Sequence, residues 1–402
     1  MKYKHLNLKY AVINAAFMFL VCATSGYAYN FLSQSGIADG AVGIIITCVS
    51  VCGLIGQTLS GSIIDKSEKI NEKKFISAAM AVTFVLALLL GILPNGSFLM
   101  VIATVLTFTA AALSLPFFNT MAFIYEKDGQ KINYGIGRGV GSAAYAVGSS
   151  LLGQLWGWMG KAILPWYIAA FAAVCFLLMQ LMPTPSEEAA RQAEQAEETK
   201  TRDLSYSAFF RKYSKIVPVV GALILLYFCH MLVNTYIAKI IANIMGEAAA
   251  ASGAVEAVQG NALFIAAMVE LPTMFLFSKI IEKISVNKVM VIASIVYSVK
   301  HLLIYICPNV PMLYAVMVLQ MFSYAALVPA GVYFAAQTVD EPDRNKGQAV
   351  MGVTITVGGL LASLIGGQLF QYMNVSGVIL IGVIASIAGT LLMIYGIHRI
   401  DA

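Results

Sequence analysis

The sequence predicts an all-α membrane protein of twelve transmembrane helices in two six-helix halves, and three observations predict it. First, 59% of the 402 residues are hydrophobic and 11% are charged, with a mean hydropathy of +0.81. Soluble chains average about 45–50% apolar and about 25% charged residues, so there is too little charge here to cover a water-soluble globule. The same numbers exclude a disordered chain. Second, apolar stretches of the roughly 20 residues needed to cross a bilayer recur along the chain. Third, Lys and Arg collect in alternate connectors. The alternating ten-residue pattern of a membrane β-barrel is absent, which leaves helices to satisfy the backbone in lipid.

In order, the expected spans are about 10–32, 40–64, 75–93, 98–125, 134–159, 164–182, 216–244, 256–281, 288–306, 312–338, 347–373 and 376–397. The first follows a basic Met1–Tyr10 segment. It is too long, and lacks a convincing cleavage site, for a signal peptide, so it reads as a retained span. Turn chemistry separates later spans, as in Pro94-Asn95-Gly96-Ser97, Pro308-Asn309 and Asp340-Glu341-Pro342-Asp343. The long Glu/Ala/Gln/Lys-rich connector divides the chain into a half at 1–182, a linker at 183–215 and a half at 216–402.

Of the 25 Lys and Arg residues, 21 fall on one side of this arrangement, and Lys161 alone lies in an opposite loop. The positive-inside rule makes the rich side cytoplasmic. Both termini and the linker are then expected inside a plasma membrane of the bacterial inner-membrane type. This placement also accounts for the net charge of +5, so no nucleic-acid partner is implied. The six cysteines form no CxxC pair and read as small packing residues.

The halves resemble each other. Ser62-Ile63-Ile64-Asp65-Lys66 follows span 2, and Lys279-Ile280-Ile281-Glu282-Lys283 follows span 8. Span 5 carries Ser150-Leu151-Leu152-Gly153-Gln154-Leu155, and span 11 carries Ser363-Leu364-Ile365-Gly366-Gly367-Gln368-Leu369. Equal span numbers at nearly equal offsets indicate a parallel duplication.

Gly61-Ser62-Ile63-Ile64-Asp65-Lys66, followed by Lys73-Lys74, resembles the loop between spans 2 and 3 of the major facilitator superfamily. That resemblance implies a cytoplasmic latch built on Gly61, Asp65 and Lys66, in which the Asp caps a helix and pairs with cations. Ser67–Glu72 lengthen the loop beyond the family pattern. Ala122-Phe123-Ile124-Tyr125-Glu126-Lys127, then Tyr134-Gly135-Ile136-Gly137-Arg138-Gly139-Val140-Gly141-Ser142-Ala143-Ala144-Tyr145, resembles spans 4–5 of the lactose permease and its oligosaccharide:proton symporter relatives. Glu270-Leu271 and Ser298-Val299-Lys300 fall where that family has a buried Glu and Arg. The resemblance implies that Arg138 and Glu270 bind substrate hydroxyls, that Tyr145 stacks on a sugar ring and that Lys300 neighbours a proton relay. The chain also departs from the pattern: Asn119, Thr120 and Met121 occupy the place of the span-4 Glu, and Gln320 and Ser323 replace the span-10 His and Glu.

Read from the residues alone, Glu270 is the acidic side chain near the middle of an expected span, where a charge costs at least about 2.5–3.5 kcal/mol. Lys300 in span 9 offers an opposite charge. The two read either as a coupling site or as a structural pair between helices. Arg138, one turn into span 5, is either a ligand or a charge reaching the interface, and Lys239 reads as a snorkelling side chain. Tyr27, Asn30, Asn119, His230, Asn234, Asn261 and Gln320 are candidate lining residues or interhelical hydrogen-bonders. His230 is also a candidate proton-coupling group. Gly-rich spans 5 and 11 permit close helix contact.

No Walker loop, metal cluster or nucleophilic triad is present, so no enzyme, cofactor or metal is expected. The expectation is a monomeric secondary transporter importing a small polar solute, a sugar or glycoside, by proton symport. The alternatives are a nucleoside:proton symporter and a drug/proton antiporter. Antiporters usually carry a basic residue in span 4 and Gly-Pro in span 5, and this chain has neither.

Overall fold

The computed structural model describes residues 5–66, 70–125, 130–184, 205–246 and 253–401. Among these, all regular structure is helical. The chain divides into two compact units, Met1–Ile37 with Ile45–Arg202, and Ala38–Ile44 with Asp203–Ala402. The first turn of span 2 therefore groups with the second unit. Residues 185–204 of the expected linker lie outside the described residues.

In the first unit span 1 comprises helices Leu6–Val21 and Ala28–Gln34 around a π-helical turn, Cys22–Gly26. Ser25 Oγ donates to Val21 O (2.7 Å) within that turn, a competing bond of the kind that bends helices. Span 2 is Asp39–Lys66 and span 3 is Glu72–Ile92. Span 4 is Phe98–Leu113 followed by Leu115–Ile124, broken where Pro116 lacks an N–H. Spans 5 and 6 are Tyr134–Met159 and Ile163–Gln180. They form one apolar stretch, Tyr134–Gln180, which would make eleven crossings. The chain turns within it at Gly160, whose φ of +64° suits glycine, which makes twelve crossings among the described residues.

The second unit opens with a short helix, Tyr206–Lys212. Its Phe209 is fully buried, and Lys346 Nζ lies 4.9 Å from the ring of Tyr206. Lys212 Nζ reaches both Asp340 Oδ2 (2.8 Å) and Asp343 Oδ2 (2.7 Å). Tyr213 Oη lies within hydrogen-bond reach of the same two oxygens, at 2.9 and 2.8 Å, and gives its one proton to either. This clamp ties the short helix to the loop before span 11. Span 7 is Val217–Thr235 and Ile237–Met245, span 8 Ala254–Lys283 and span 9 Val286–Tyr305. Span 10 runs as Val310–Met317, a 3-10 segment Val318–Phe322 and Tyr324–Thr338. Spans 11 and 12 are Arg344–Tyr372 and Val375–Asp401. Spans 1, 4, 7 and 10 are thus each interrupted, whereas spans 2, 5, 8 and 11 are continuous helices of 26 to 30 residues.

Side chains such as Leu89, Ile92, Leu177, Ile384 and Leu391 stand exposed, as a lipid-facing surface requires. Inside, small residues let helices close up. A Cβ on Gly358 would lie 2.8 Å from the backbone N of Phe228, so span 11 packs directly on the main chain of span 7. Lys239 corrects the snorkelling expectation. Its ammonium pairs with Asp39 and lies 4.9 Å from the ring of Phe370, a partner set that removes the need to reach the interface. Glu256, in the first turn of span 8, is also buried, 2% exposed.

Candidate functional site

The second unit joins Glu270 of span 8 and Lys300 of span 9 through one amide. Gln320 lies in the 3-10 segment of span 10, where the interruption turns its side chain toward spans 8 and 9. Its Nε2 donates to Glu270 Oε1 of span 8 at 2.8 Å, and its Oε1 accepts from Lys300 Nζ of span 9. Lys300 and Gln320 are buried, 2% and 4% exposed, and Glu270 is half-buried. An amide has one donating and one accepting end. Its orientation is therefore set by the two charges, NH2 toward carboxylate and carbonyl toward ammonium. Burying either charge alone is costly, and the bridge compensates both.

Aromatic and imidazole rings pack beside the bridge. His230 of span 7 is buried, accepts from Asn234 Nδ2 at Nε2 (2.9 Å) and stacks on Tyr324 at 4.6 Å between centroids. Tyr297 and His301 of span 9 lie 5.6 and 6.5 Å from it. Of the expected site residues, the structure joins Glu270, Lys300 and Gln320 to one another and His230 to Asn234. Asn261 is half-buried on span 8.

The other expected residues belong to the first unit. Arg138 is exposed, and Tyr145 and Asn119 are half-buried. Asn30 is 2% exposed. Tyr27 closes the break in span 1, with Oη donating to Ser149 O (2.7 Å) and its ring stacked on Trp156. Gly61 has open space around it. Asp65 and Lys66 continue the helix of span 2, with side chains outside the described residues. Sequence reading passed over Tyr297, Tyr324, His301 and Asp39. The usable signal was local: Tyr297 and His301 are four apart on one helix, hence on one face, and flank Lys300.

Among the described residues no group of three His, Cys, Asp or Glu could hold a metal ion. Among the described residues, twelve apolar crossings with bonded charges inside the spans mark a polytopic membrane protein. A family model described as the MFS_1 like family matches residues 10–380, and the chain belongs to that family, within the major facilitator superfamily. No curated protein matches the sequence. Among solved structures it is similar to the nucleoside transporter NupG, at 15% identity and a TM-score of 0.83 over 97% of this chain and 99% of that one. It is also similar to a peptide transporter POT, at 11% identity and a TM-score of 0.70 over 98% and 94%. A POT family transporter in complex with 5-aminolevulinic acid matches at 10% identity and 0.68 over 98% and 96%.

Proposed function

We propose that this chain imports a small, uncharged, hydroxyl-bearing solute, a sugar or glycoside, by proton symport through alternating access. The observation that carries the reading is the Glu270–Gln320–Lys300 bridge, an ionisable carboxylate tied through one amide to a buried cation. A proton on Glu270 removes the charge that balances Lys300 and loosens the tie between spans 8, 9 and 10. Symport requires the loaded and the empty carrier to cross while singly occupied forms do not, so Glu270 favours solute binding when protonated. Arg138 and Tyr145 serve as solute contacts of the first unit. The positive-inside rule supports cytoplasmic termini in a bacterial-type plasma membrane.

A nucleoside is the second reading, favoured by the likeness to NupG along nearly the whole chain. Nucleosides also carry ribose hydroxyls, which the same donors and acceptors would serve.

The test uses purified protein in liposomes with an internal pH dye, challenged in turn with lactose, methyl galactoside and uridine. The expected result is acidification of the lumen with one of these solutes, and loss of accumulation in Glu270→Gln while solute exchange persists. Normal transport by both Glu270→Gln and Arg138→Ala would overturn the site. Solute-driven export of protons would favour the antiporter instead.

A further inference from the structure

Spans 9 and 12 lie side by side, and hydrogen bonds set them antiparallel: Asn287 Nδ2 donates to Asp401 Oδ1 (2.7 Å) at one end, and Ser298 meets Thr390 further along. Short hydroxyl side chains join the two helices. Thr390 Oγ1 donates to Ser294 O (2.7 Å), and Ser298 Oγ lies 2.8 Å from Thr390 Oγ1 and 3.1 Å from Ser386 Oγ. These groups stand lower than the exposed Ile295, Val299 and Leu302 of span 9 and the exposed Ile387 and Leu391 of span 12. Between the two apolar ridges runs a furrow with a cavity of about 220 Å³.

The furrow continues toward the start of span 9 and the end of span 12. There Val291, Ile292 and the buried Ile397 line a second cavity, of about 340 Å³, whose mouth carries Ser285, Asn287, Lys288 and Asp401. From Lys288 to Leu302 the helix rises about 21 Å. One leaflet holds about 15 Å of hydrocarbon, half of the roughly 30 Å core, so the furrow reaches from the polar boundary through one leaflet. Its deep part is walled by apolar side chains, and its mouth is charged. The Lys288 ammonium is exposed and, among the described residues, takes part in no ion pair.

We propose that this furrow holds one glycerophospholipid, with its phosphate on Lys288, a proton-donating headgroup on Asp401 and one acyl chain along Val291, Ile295 and Val299. Acyl chains wet every lipid-facing surface. This stretch differs because a recess as deep as a leaflet opens at a cation beside a carboxylate. Charge complementarity names the occupant. The phosphodiester meets the ammonium, as in other basic pockets between helices at a membrane face. The carboxylate favours a head that has a proton to donate, ethanolamine or glycerol, over choline, which has none. A helix of another protein would cover the apolar ridges and leave both charges unused. Span 9 also carries Lys300 on its buried side, so the bound lipid braces that span against span 12 from behind the bridge. The site stands independently of which solute or ion is carried.

Native mass spectrometry of the purified, delipidated full-length protein tests this. The protein is titrated with phosphatidylethanolamine, phosphatidylglycerol and phosphatidylcholine of identical acyl chains. The expected result is one lipid bound more tightly than those that follow, with the ethanolamine and glycerol heads ahead of choline. Lys288→Ala weakens that first binding about fivefold, Lys288→Arg keeps it, and Asp401→Asn abolishes the preference among heads. Val299→Trp fills the furrow from a lipid-facing position and weakens the first binding of all three lipids. Leu177→Trp, equally exposed to lipid on span 6, leaves it unchanged. Glycerophosphoethanolamine, the head without acyl chains, does not compete. Equal binding of the three heads by the wild type overturns the proposal, and so does first binding that survives either Lys288→Ala or Val299→Trp. Should a variant misfold, the wild-type head preference and the competition still decide.

Discussion

Spans 3 and 4 of the first unit and spans 9 and 10 of the second are the same pair of helices built twice, with different contents. Asn71 caps span 3 by accepting from Lys74 N (3.0 Å), and Ser285, 214 residues later, caps span 9 by accepting from Lys288 N (3.4 Å). Ser97 caps span 4 through Met100 N (3.2 Å), and Asn309, 212 residues later, caps span 10 through Met312 N (3.0 Å). Counting from these caps, Lys300 falls opposite Leu86 and Gln320 opposite Phe108. Span 4 breaks at Ser114, and span 10 breaks at Ser323. The scaffold, down to its caps and interruptions, is duplicated, whereas the charged bridge is written into one copy. Helix architecture is thus separable from the chemistry placed on it.

The sharpest way to break that comparison is to empty the bridge. Lys300→Met leaves Glu270 and Gln320 facing an apolar side chain, and removing one partner of a buried charge pair costs about 3–5 kcal/mol. We expect a large drop in the thermal unfolding midpoint of the detergent-solubilised chain. Glu270→Gln combined with Lys300→Met removes both charges and should restore most of that stability while leaving transport uncoupled. At the matched position of the first unit, Leu86→Met conserves volume and should cost less than about 1.5 kcal/mol. Equal losses at positions 86 and 300 would show that packing, not charge, dominates in both copies.

Much of this was legible in the sequence. Twelve crossings follow from the length and apolarity of the spans, which local composition controls. Glu270, Lys300 and Gln320 each stand out as polar residues in apolar stretches. That one amide joins them was not legible, because the contacts close over 50 and 20 residues of chain and depend on how spans 8, 9 and 10 pack. Lys239 shows the same limit: its partner Asp39 lies 200 residues away. The interruptions were also hidden, apart from Pro116. The π-turn at Cys22–Gly26 is marked in the sequence only by Thr24, Ser25 and Gly26, a weak signal shared by many unbroken spans, and the break at Tyr236 by nothing local. Tyr236 is held by its Oη bond to Ser363 O (2.7 Å), a tertiary contact.

Glycine contacts sharpen the comparison at the next magnitude down. Gly358→Ala pushes a methyl against the backbone of span 7, which cannot rotate away as a side chain would, and overpacking of this kind costs about 1–3 kcal/mol. Gly352, on the same helix, has nothing within 4 Å of its would-be Cβ. Gly352→Ala should therefore be neutral or slightly stabilising, because alanine is the better helix former. Unfolding of the two variants side by side measures the difference, and a similar loss in both would mean that helix propensity rather than contact decides.

The duplicated caps should respond alike. Ser97→Ala and Asn309→Ala each remove one side-chain acceptor from a helix N-terminus, worth about 0.5–2 kcal/mol, and the two losses should agree within error. A clear excess at Asn309 would mean that span 10 depends on its cap because it is already interrupted twice near its middle, by the 3-10 segment and by Ser323.

The smallest effect belongs to the clamp, which lies outside the spans. Hydrogen bonding and charge from Lys212 hold the carboxyls of Asp340 and Asp343 below the usual range, and bonds to Asp340 and then Asp343 raise the Lys212 ammonium. A depressed acid stabilises the fold above its unfolded pKa, about 3.9 for Asp, and that contribution fades as pH falls through the lower folded value. A raised lysine contributes fully below about pH 10.4 and fades only as pH climbs through its higher folded value. The clamp is therefore fully engaged across the neutral range. Amide exchange of Tyr206–Lys212, corrected for intrinsic rates, should show constant protection between about pH 5 and 9 and reduced protection below the carboxylate range. Asp343→Asn should reduce it more than Asp340→Asn, because the Asp343 side chain is 8% exposed and that of Asp340 63%, and water screens the exposed partner. Protection that changes near neutral pH would place control of this helix in some group other than the clamp.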